Sequence, residues 1–528
     1  MTKRILALAI GVAVLAGRAV APVAEAAAPG PAMATVTVDG RVTNTVPADA
    51  IGVNTPFWSA QFTRSDTPRR IREAGIGTLS FNAGGAGDLY HFDHGGWLSP
   101  DPYGPYNGPG GYGYQNLTPR FSFDRFARTA RAAGAGMLVH VNYGTGPGDT
   151  ADHPSTDADP KPGDPQEAAD WVRYANVTRG YGVRDWVIGE EVYLNGWNKP
   201  AGPTPPGPGH DLEVREPDAH ADRSPAAYAR NSIEYAKAMK AVDPGIRVGI
   251  ELFPYDPQRL GAPGPDARAK EWDEAVLGTP GLAAAVDFVD VHWYHAHFAG
   301  VTTEAELLAD TSATARAMAT VRTALDRASG PDHRIDVIAG ETNLDNVGNP
   351  HQRTTAGALY LLDSNLSLLE NGVSQVDWWA LYNGPGLFGK DGKDWGDLGL
   401  LSSGECPADW SGADPCEPPA GTPFAPFHTM KLLTTALRGG GDTLAATTDN
   451  PALGVHAVRR ADGTLAVVLV NKDPEHAQPF RLDLPGDYRV RRTLAWHDGD
   501  DAPTVRHGSA PSTLAPYSAA VILLDPRD

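Results

Sequence analysis

Two stretches of this chain carry an apolar run through a glycine into carboxylates. Asp185-Trp-Val-Ile-Gly-Glu-Glu-Val-Tyr193 holds Glu190 and Glu191, and Asp336-Val-Ile-Ala-Gly-Glu-Thr-Asn343 holds Glu341. Burying adjacent charges is costly, so carboxylates at such a position are either paired with cations or put to use. Their proximity pushes one pKa upward, which a general acid working near neutral pH requires. The plainer alternative is a solvated strand end. If Glu341 shares a rim with Glu191, the pair suits hydrolysis of a glycosidic bond through a covalent intermediate. One carboxylic acid protonates the leaving oxygen while a carboxylate roughly 5 to 5.5 Å away attacks the anomeric carbon.

Flat rings able to pack on the C–H face of a sugar stand at other strand ends: Trp58, Tyr143, Trp378 and Trp379. Ordinary core or cleft packing is the alternative for each. Alternation along a strand sends only one of Trp378 and Trp379 inward, and Trp379 is taken as the candidate contact. His292, His295 and His297 cluster along the chain, which opens a metal alternative. Tight metal sites, however, recruit well-spaced ligands with carboxylate or cysteine support. No metal and no cofactor are therefore expected, and a satisfied strand-end histidine or a sugar contact accounts for His292.

Positioning these residues falls to an alternation of strand-like and amphipathic helical runs from about Ala50 to Leu437, the pattern of a parallel sheet covered by helices. Eight strands are predicted: Ile51 to Asn54, Thr78 to Ala83, Met137 to Tyr143, Asp185 to Glu191, Arg247 to Phe253, Asp287 to Tyr294, Asp336 to Asn343 and Gln375 to Tyr382. They imply a (β/α)8 TIM barrel whose fourth and seventh strands end in Glu191 and Glu341, on the rim where such barrels place catalytic residues. Helix starts are read at Thr67-Pro68, at Asp164-Pro165 with Glu167 as capping partner, and at Ser224-Pro225. Stretches rich in Gly, Pro, Asn and Asp (Asp93 to Asn116, Pro147 to Pro162, Asn195 to Asp222, Asn383 to Pro426) follow strands, which puts them on the active face. For Asn195 to Asp222 a merely solvated loop is an equal reading.

Past Arg438 short alternating strands such as Thr464-Leu-Ala-Val-Val-Leu-Val470 and Ala519-Ala-Val-Ile-Leu-Leu524 predict a C-terminal antiparallel β-sandwich. Ala34-Thr-Val-Thr-Val-Asp39 is expected to add an edge strand to it. The domain reading is a leader over 1–28, a linker and sandwich strand over 29–49, the barrel over 50–437 and the sandwich over 438–528.

Met1-Thr-Lys-Arg4, an apolar stretch from Ile5 to Ala16 and Ala24-Glu-Ala-Ala-Ala28 together predict a secretory signal peptide, too short to span a bilayer. The 528 residues carry a formal net charge of -20, which disfavours nucleic acid and anionic lipid as partners and suits a neutral ligand. The expected partner is a carbohydrate, and the sequence carries no indication of oligomeric state. The two cysteines, Cys406 and Cys416, are expected to form a local loop disulfide in an exported chain.

Three segments, Val141-Asn-Tyr-Gly-Thr-Gly146, Glu167-Ala-Ala-Asp-Trp-Val-Arg-Tyr-Ala-Asn176 and Trp186-Val-Ile-Gly-Glu-Glu-Val-Tyr193, resemble clan A glycoside hydrolases, in particular the α-L-arabinofuranosidases of family 51. The resemblance implies a retaining mechanism with Glu191 as acid/base and Glu341 as nucleophile, 150 positions apart. Val289-Asp-Val-His-Trp-Tyr294 resembles the clan's His-x-Tyr, which implies that His292 and Tyr294 surround the nucleophile. Two departures stand out. Glu190 occupies the place of the family asparagine that bonds the sugar 2-hydroxyl; a carboxylate accepts that bond too, and its charge would hold a proton more firmly on Glu191. Phe81-Asn-Ala-Gly-Gly85 keeps the glycines of the family's Arg-x-Pro-Gly-Gly but not the arginine, leaving Asn82 as the candidate contact there. The expectation is a secreted retaining hydrolase that removes terminal arabinofuranosyl-like residues. Specificities like those of β-glucuronidases, β-xylosidases or galactofuranosidases, and a carbohydrate-binding barrel without turnover, are the alternatives.

Overall fold

The computed structural model describes residues 31–81, 84, 86–92, 96–97, 120–146, 161–197, 218–262, 264–294, 303–309, 312–330, 333–345, 351–384, 397–406 and 416–527. The expected leader, Asn82, His295 and His297 lie outside the described residues.

Eight parallel strands close into a barrel in chain order: Ile51–Asn54, Thr78–Phe81, Gly136–Val141, Asp185–Ile188, Arg247–Leu252, Phe288–Trp293, Asp336–Thr342 and Gln375–Trp378. The eighth pairs back onto the first, Val376 opposite Ile51. All eight strands read from the sequence are barrel strands. They are apolar with little alternation because one side of each faces the barrel interior and the other a layer of helices. Several stop sooner than expected. The fourth ends at Ile188, short of Glu191, because Gly189 takes φ +82° and turns the chain.

Two of the three expected helix starts carry side-chain caps. Asp164 accepts from the Gln166 N–H ahead of Pro165–Val172, and Ser224 accepts from the Ala227 N–H ahead of Pro225–Val242. The third differs. Helix Thr67–Ala74 begins at Thr67 itself, which is buried, and its hydroxyl turns back to donate to the Gln61 carbonyl at 3.3 Å. Glu167 directs Oε1 to His91 Nδ1 at 2.8 Å, a buried partner that makes a charge-assisted bond stronger than a capping contact.

Eight C-terminal strands and Ala34–Val46 form one nine-stranded curled sheet. In its interior strand Leu465–Asn471, successive side chains face opposite ways. Val468 and Val470 join the barrel's core, whereas Val467 and Leu469 close a second core with Val36, Val38, Phe480 and Ile522. The expected edge strand is an interior one. Ala34–Val46 is long enough to be paired on both sides, antiparallel to Gly441–Thr448 and parallel to Gln478–Asp483, so the sheet is mixed rather than wholly antiparallel. Helix Thr355–Glu370 lies between barrel and sheet and is buried at every position but its last, with Asp363, Ser364 and Asn365 enclosed among its leucines. Cys406 and Cys416 are joined by a disulfide. Among the described residues no helix is long and apolar enough to cross a membrane.

Candidate active site

Glu191 stands just past the end of the fourth strand. After Gly189 turns the chain, Glu191 takes a left-handed backbone, φ 47° and ψ 35°, ahead of the short 3-10 turn Val192–Leu194. Holding a non-glycine residue there costs of order 1–3 kcal/mol and persists only where the surroundings impose it. The Tyr193 hydroxyl donates to Glu191 Oε1 at 3.0 Å, and His292 Nδ1 shares a hydrogen bond with the same oxygen at 3.1 Å. The Tyr193 ring stacks on Phe253, 4.3 Å between centroids, so packing beside the fifth strand aims that hydroxyl.

Glu341 sits on the seventh strand. The Tyr294 hydroxyl donates to Glu341 Oε1, and His292 Nδ1 lies 3.8 Å from Glu341 Oε2. One ring nitrogen therefore stands between the acids of strands four and seven. The glycine before Glu341 makes room for a neighbour. A Cβ on Gly340 would fall 2.3 Å from Asp290 Oδ2, and the Gly340 N–H donates to Asp290 Oδ1 at 2.7 Å.

A further group of polar side chains is enclosed beside this pair. It comprises His140 from strand three, Glu190, Glu251 from strand five and Asp290 from strand six, together with His292. His140 Nδ1 lies 2.6 Å from Glu190 Oε2, and His292 Nε2 lies 3.9 Å from each of Glu190, Glu251 and Asp290. Burial governs the protonation of this group. It pushes Glu190 and Glu341 up to about 8, with His292 pulling down and Glu191 adding to the rise in both. Glu251 and Asp290 are likewise raised by burial, against the pull of His292. His140 is pushed down by burial to about 4. For His292 burial acts downward too, but Glu341, Glu251, the Glu191 bond and Asp290 outweigh it and hold the ring well above the usual histidine range. Of the adjacent Glu190 and Glu191, Glu190 is the more buried, and burial raises its carboxyl.

Of the residues singled out in the sequence, the structure brings Glu190, Glu191, His292, Tyr294 and Glu341 together. Trp58 and Trp379 meet each other at 5.8 Å between centroids, in a small cluster with Ala380 and Leu398. Asn343, two residues past Glu341, donates to the Trp379 carbonyl and ties that rim to the seventh strand. Trp378 instead packs in the barrel core. Tyr143 is not presented to a ligand: it is wholly buried, stacked on His220 at 4.5 Å, with its hydroxyl accepting from Asn231 Nδ2. Its strand ends at Val141, so the ring turns toward helix Pro225–Val242 rather than into the barrel mouth.

Four site residues were not read from the sequence: His140, Tyr193, Glu251 and Asp290. The signal for three of them was present. In Leu138-Val-His-Val141, Ile250-Glu-Leu252 and Val289-Asp-Val-His292 polar side chains interrupt otherwise apolar strands, and alternation places Asp290 and His292 on one face. Asp88, also unread, supports the turn by accepting from the N–H groups of Tyr143 at 2.7 Å and Glu190 at 3.4 Å.

No family model and no curated protein matches the sequence. Solved structures match the fold over nearly the whole chain. The family 51 α-L-arabinofuranosidase AbfB from Bifidobacterium longum aligns with a TM-score of 0.64 at 17% identity, covering 94% of this chain and 100% of its own. The GH51 arabinofuranosidase from Xanthomonas axonopodis pv. citri gives 0.60 at 14% identity over 93% and 100%. A family 44 xyloglucanase from Paenibacillus polymyxa gives 0.59 at 14% identity over 93% and 99%. The fold is that of these clan A glycoside hydrolases, a TIM barrel with an attached β-domain, as the sequence resemblance implied.

Proposed function

We propose that this chain is an exported retaining glycoside hydrolase in which Glu341 attacks the anomeric carbon and Glu191 acts first as acid and then as base. The observation that carries the reading is His292 Nδ1 between the two acids, 3.1 Å from Glu191 Oε1 and 3.8 Å from Glu341 Oε2. The two contacts keep these oxygens, from strands four and seven, no further apart than 3.1 and 3.8 Å together, which accommodates the roughly 5–5.5 Å typical of a covalent mechanism. Burial raises Glu341, but His292 and the Tyr294 hydrogen bond favour the ionised form that attacks, and the bond leaves its other oxygen for the sugar. Tyr193 and His292 both hold Glu191 Oε1, which fixes the acid's direction. Trp58 and Trp379 supply apolar rings at the rim, and Glu190, with Asn82, completes the proposed sugar contacts. A terminal arabinofuranosyl-like residue of a polysaccharide or oligosaccharide is the proposed substrate, on the sequence resemblance and the arabinofuranosidase fold. The N-terminal leader pattern and the Cys406–Cys416 disulfide support export.

The test is Glu341→Ala on a panel of aryl furanosides and pyranosides. Turnover is expected to vanish and to return with azide as a glycosyl azide of inverted configuration. Full activity in the variant would overturn the assignment. The Glu190 departure favours a second reading, a barrel that binds carbohydrate without turnover; calorimetric binding of an oligosaccharide with no product after long incubation would favour it.

A further inference from the structure

Four enclosed side chains contribute more hydrogen-bonding atoms than they satisfy. Both carboxylate oxygens of Glu251 lack a hydrogen-bond partner, as do Asp290 Oδ2, His140 Nε2 and His292 Nε2. None of these residues is more than 4% exposed. Leaving one such buried atom unpaired costs about 1–3 kcal/mol, more for a charged group, so several in one place need a common partner.

The histidines indicate what that partner is. In each ring Nδ1 is occupied by a group other than Glu251 and Asp290, and for His140 the nearest is Glu190 Oε2 at 2.6 Å. His292 Nδ1 bonds the Glu191 carboxylate at 3.1 Å, and His140 Nδ1 meets the Gly189 carbonyl at 3.3 Å. Each thereby leaves Nε2 turned toward Asp290 Oδ2, 3.6 Å away for His140 and 3.9 Å for His292. A metal-bound histidine has this arrangement: the outer nitrogen donates to a carboxylate or backbone carbonyl, and the inner one presents a lone pair to the ion. Ligand atoms of Glu251, Asp290 and His292 lie within 4.8 Å of one another.

We infer that Glu251, Asp290 and His292, with His140 alongside, form a binding site for one divalent transition-metal ion inside the barrel, adjoining the Glu191–Glu341 pair. Imidazole with carboxylates is a donor set suited to zinc and its first-row neighbours, rather than the all-oxygen shell of calcium. Bonds of about 2.0–2.2 Å in a tetrahedral site set donor separations of about 3.3–3.6 Å, so the 3.9 Å edges need close by only a few tenths of an ångström. The position assigns the ion a structural task. By holding Nε2 it fixes the His292 ring, and through Nδ1 it fixes Glu191. It also offsets a cluster of carboxylates that otherwise have two imidazole rings as neighbours. This inference rests on the unpaired atoms and is independent of which sugar is cleaved.

The experiment uses the full chain, stripped with a chelator and then titrated with zinc or cobalt(II), with bound metal measured by elemental analysis and folding by thermal melting. One ion per chain, a melting midpoint raised by zinc, and a four-coordinate cobalt absorption band are expected. Glu251→Gln and Asp290→Asn should each weaken zinc binding at least tenfold and erase the cobalt band. Stripped wild-type protein that takes up no zinc or cobalt and melts unchanged would overturn the inference, as would uptake unaltered in both variants. Neither readout depends on turnover, so a failure here is distinct from a failure of the proposed hydrolase.

Discussion

Each residue of the proposed catalytic pair has a measurable signature. Tyr294 gives Glu341 a charge-assisted hydrogen bond, of a kind worth about 1.5–3 kcal/mol. Tyr294→Phe should therefore lower kcat/KM on an aryl glycoside by about 10- to 100-fold while binding of a non-reacting sugar changes little, as read from initial rates and calorimetry. In the proposed mechanism Glu191 acts on the leaving group, so Glu191→Gln should cost about 10²–10⁴ in kcat on substrates with poor leaving groups and far less on activated aryl glycosides. Equal losses across a leaving-group series would remove Glu191 from the acid role. The strained backbone at Glu191 belongs with this chemistry, because Tyr193 and His292 hold the side chain in place after an unfavourable turn.

Elements are held in register by small residues as much as by large ones. Gly340 lies where a methyl group would meet the Asp290 carboxylate at 2.3 Å, inside a barrel closed on all sides. Gly340→Ala should cost about 1–3 kcal/mol as overpacking, measured by denaturant unfolding, and should shift Glu341 with it. The Ser224 cap is a local feature of the opposite kind. Ser224→Ala should cost about 1 kcal/mol through the lost bond to the Ala227 N–H and leave the site untouched. Strand positions and two of the three caps were legible in the chain because each depends on neighbours a few residues away. The Thr67 cap was not, since its hydroxyl is taken by Gln61 across a turn. Nor was the interior place of Ala34–Val46, whose partners lie some four hundred residues on.

Across the whole molecule, the sheet is joined to the barrel by buried ions. His456 bonds Asp363 and Glu370 at 3.0 Å each, and Lys472 pairs with Asp363 at 2.8 Å. Burial acts to lower the His456 pKa, but the two carboxylates raise it to about 10. Burial acts to raise Asp363, but Lys472 and His456 hold it well below the usual carboxylate range. The signs give a pH window. The His456 contribution is complete below its unfolded value near 6.5 and is lost as pH rises through about 10. The Asp363 contribution is present above its unfolded value and lost as acid is added. Unfolding at pH 6 and pH 10 should therefore show His456→Asn destabilised at pH 6 by clearly more than at pH 10. Equal losses at both would mean that the ring matters only for packing.

What the sequence determined by itself is local. Apolar runs of strand length, glycines at their ends and acids just beyond place Glu191 and Glu341 on one rim, because barrel strands follow chain order. The cysteine pair is as local, ten residues apart. Closure decided the rest. His140, Glu251, Asp290 and His292 come from three strands, and each reads as a polar interruption of an apolar run until the barrel curls and turns their side chains onto one another. Tyr143 shows the converse, a strand-end aromatic that closure turned into the core. A side chain's face along a strand is set by alternation, but what it meets there is set only when the eighth strand pairs with the first.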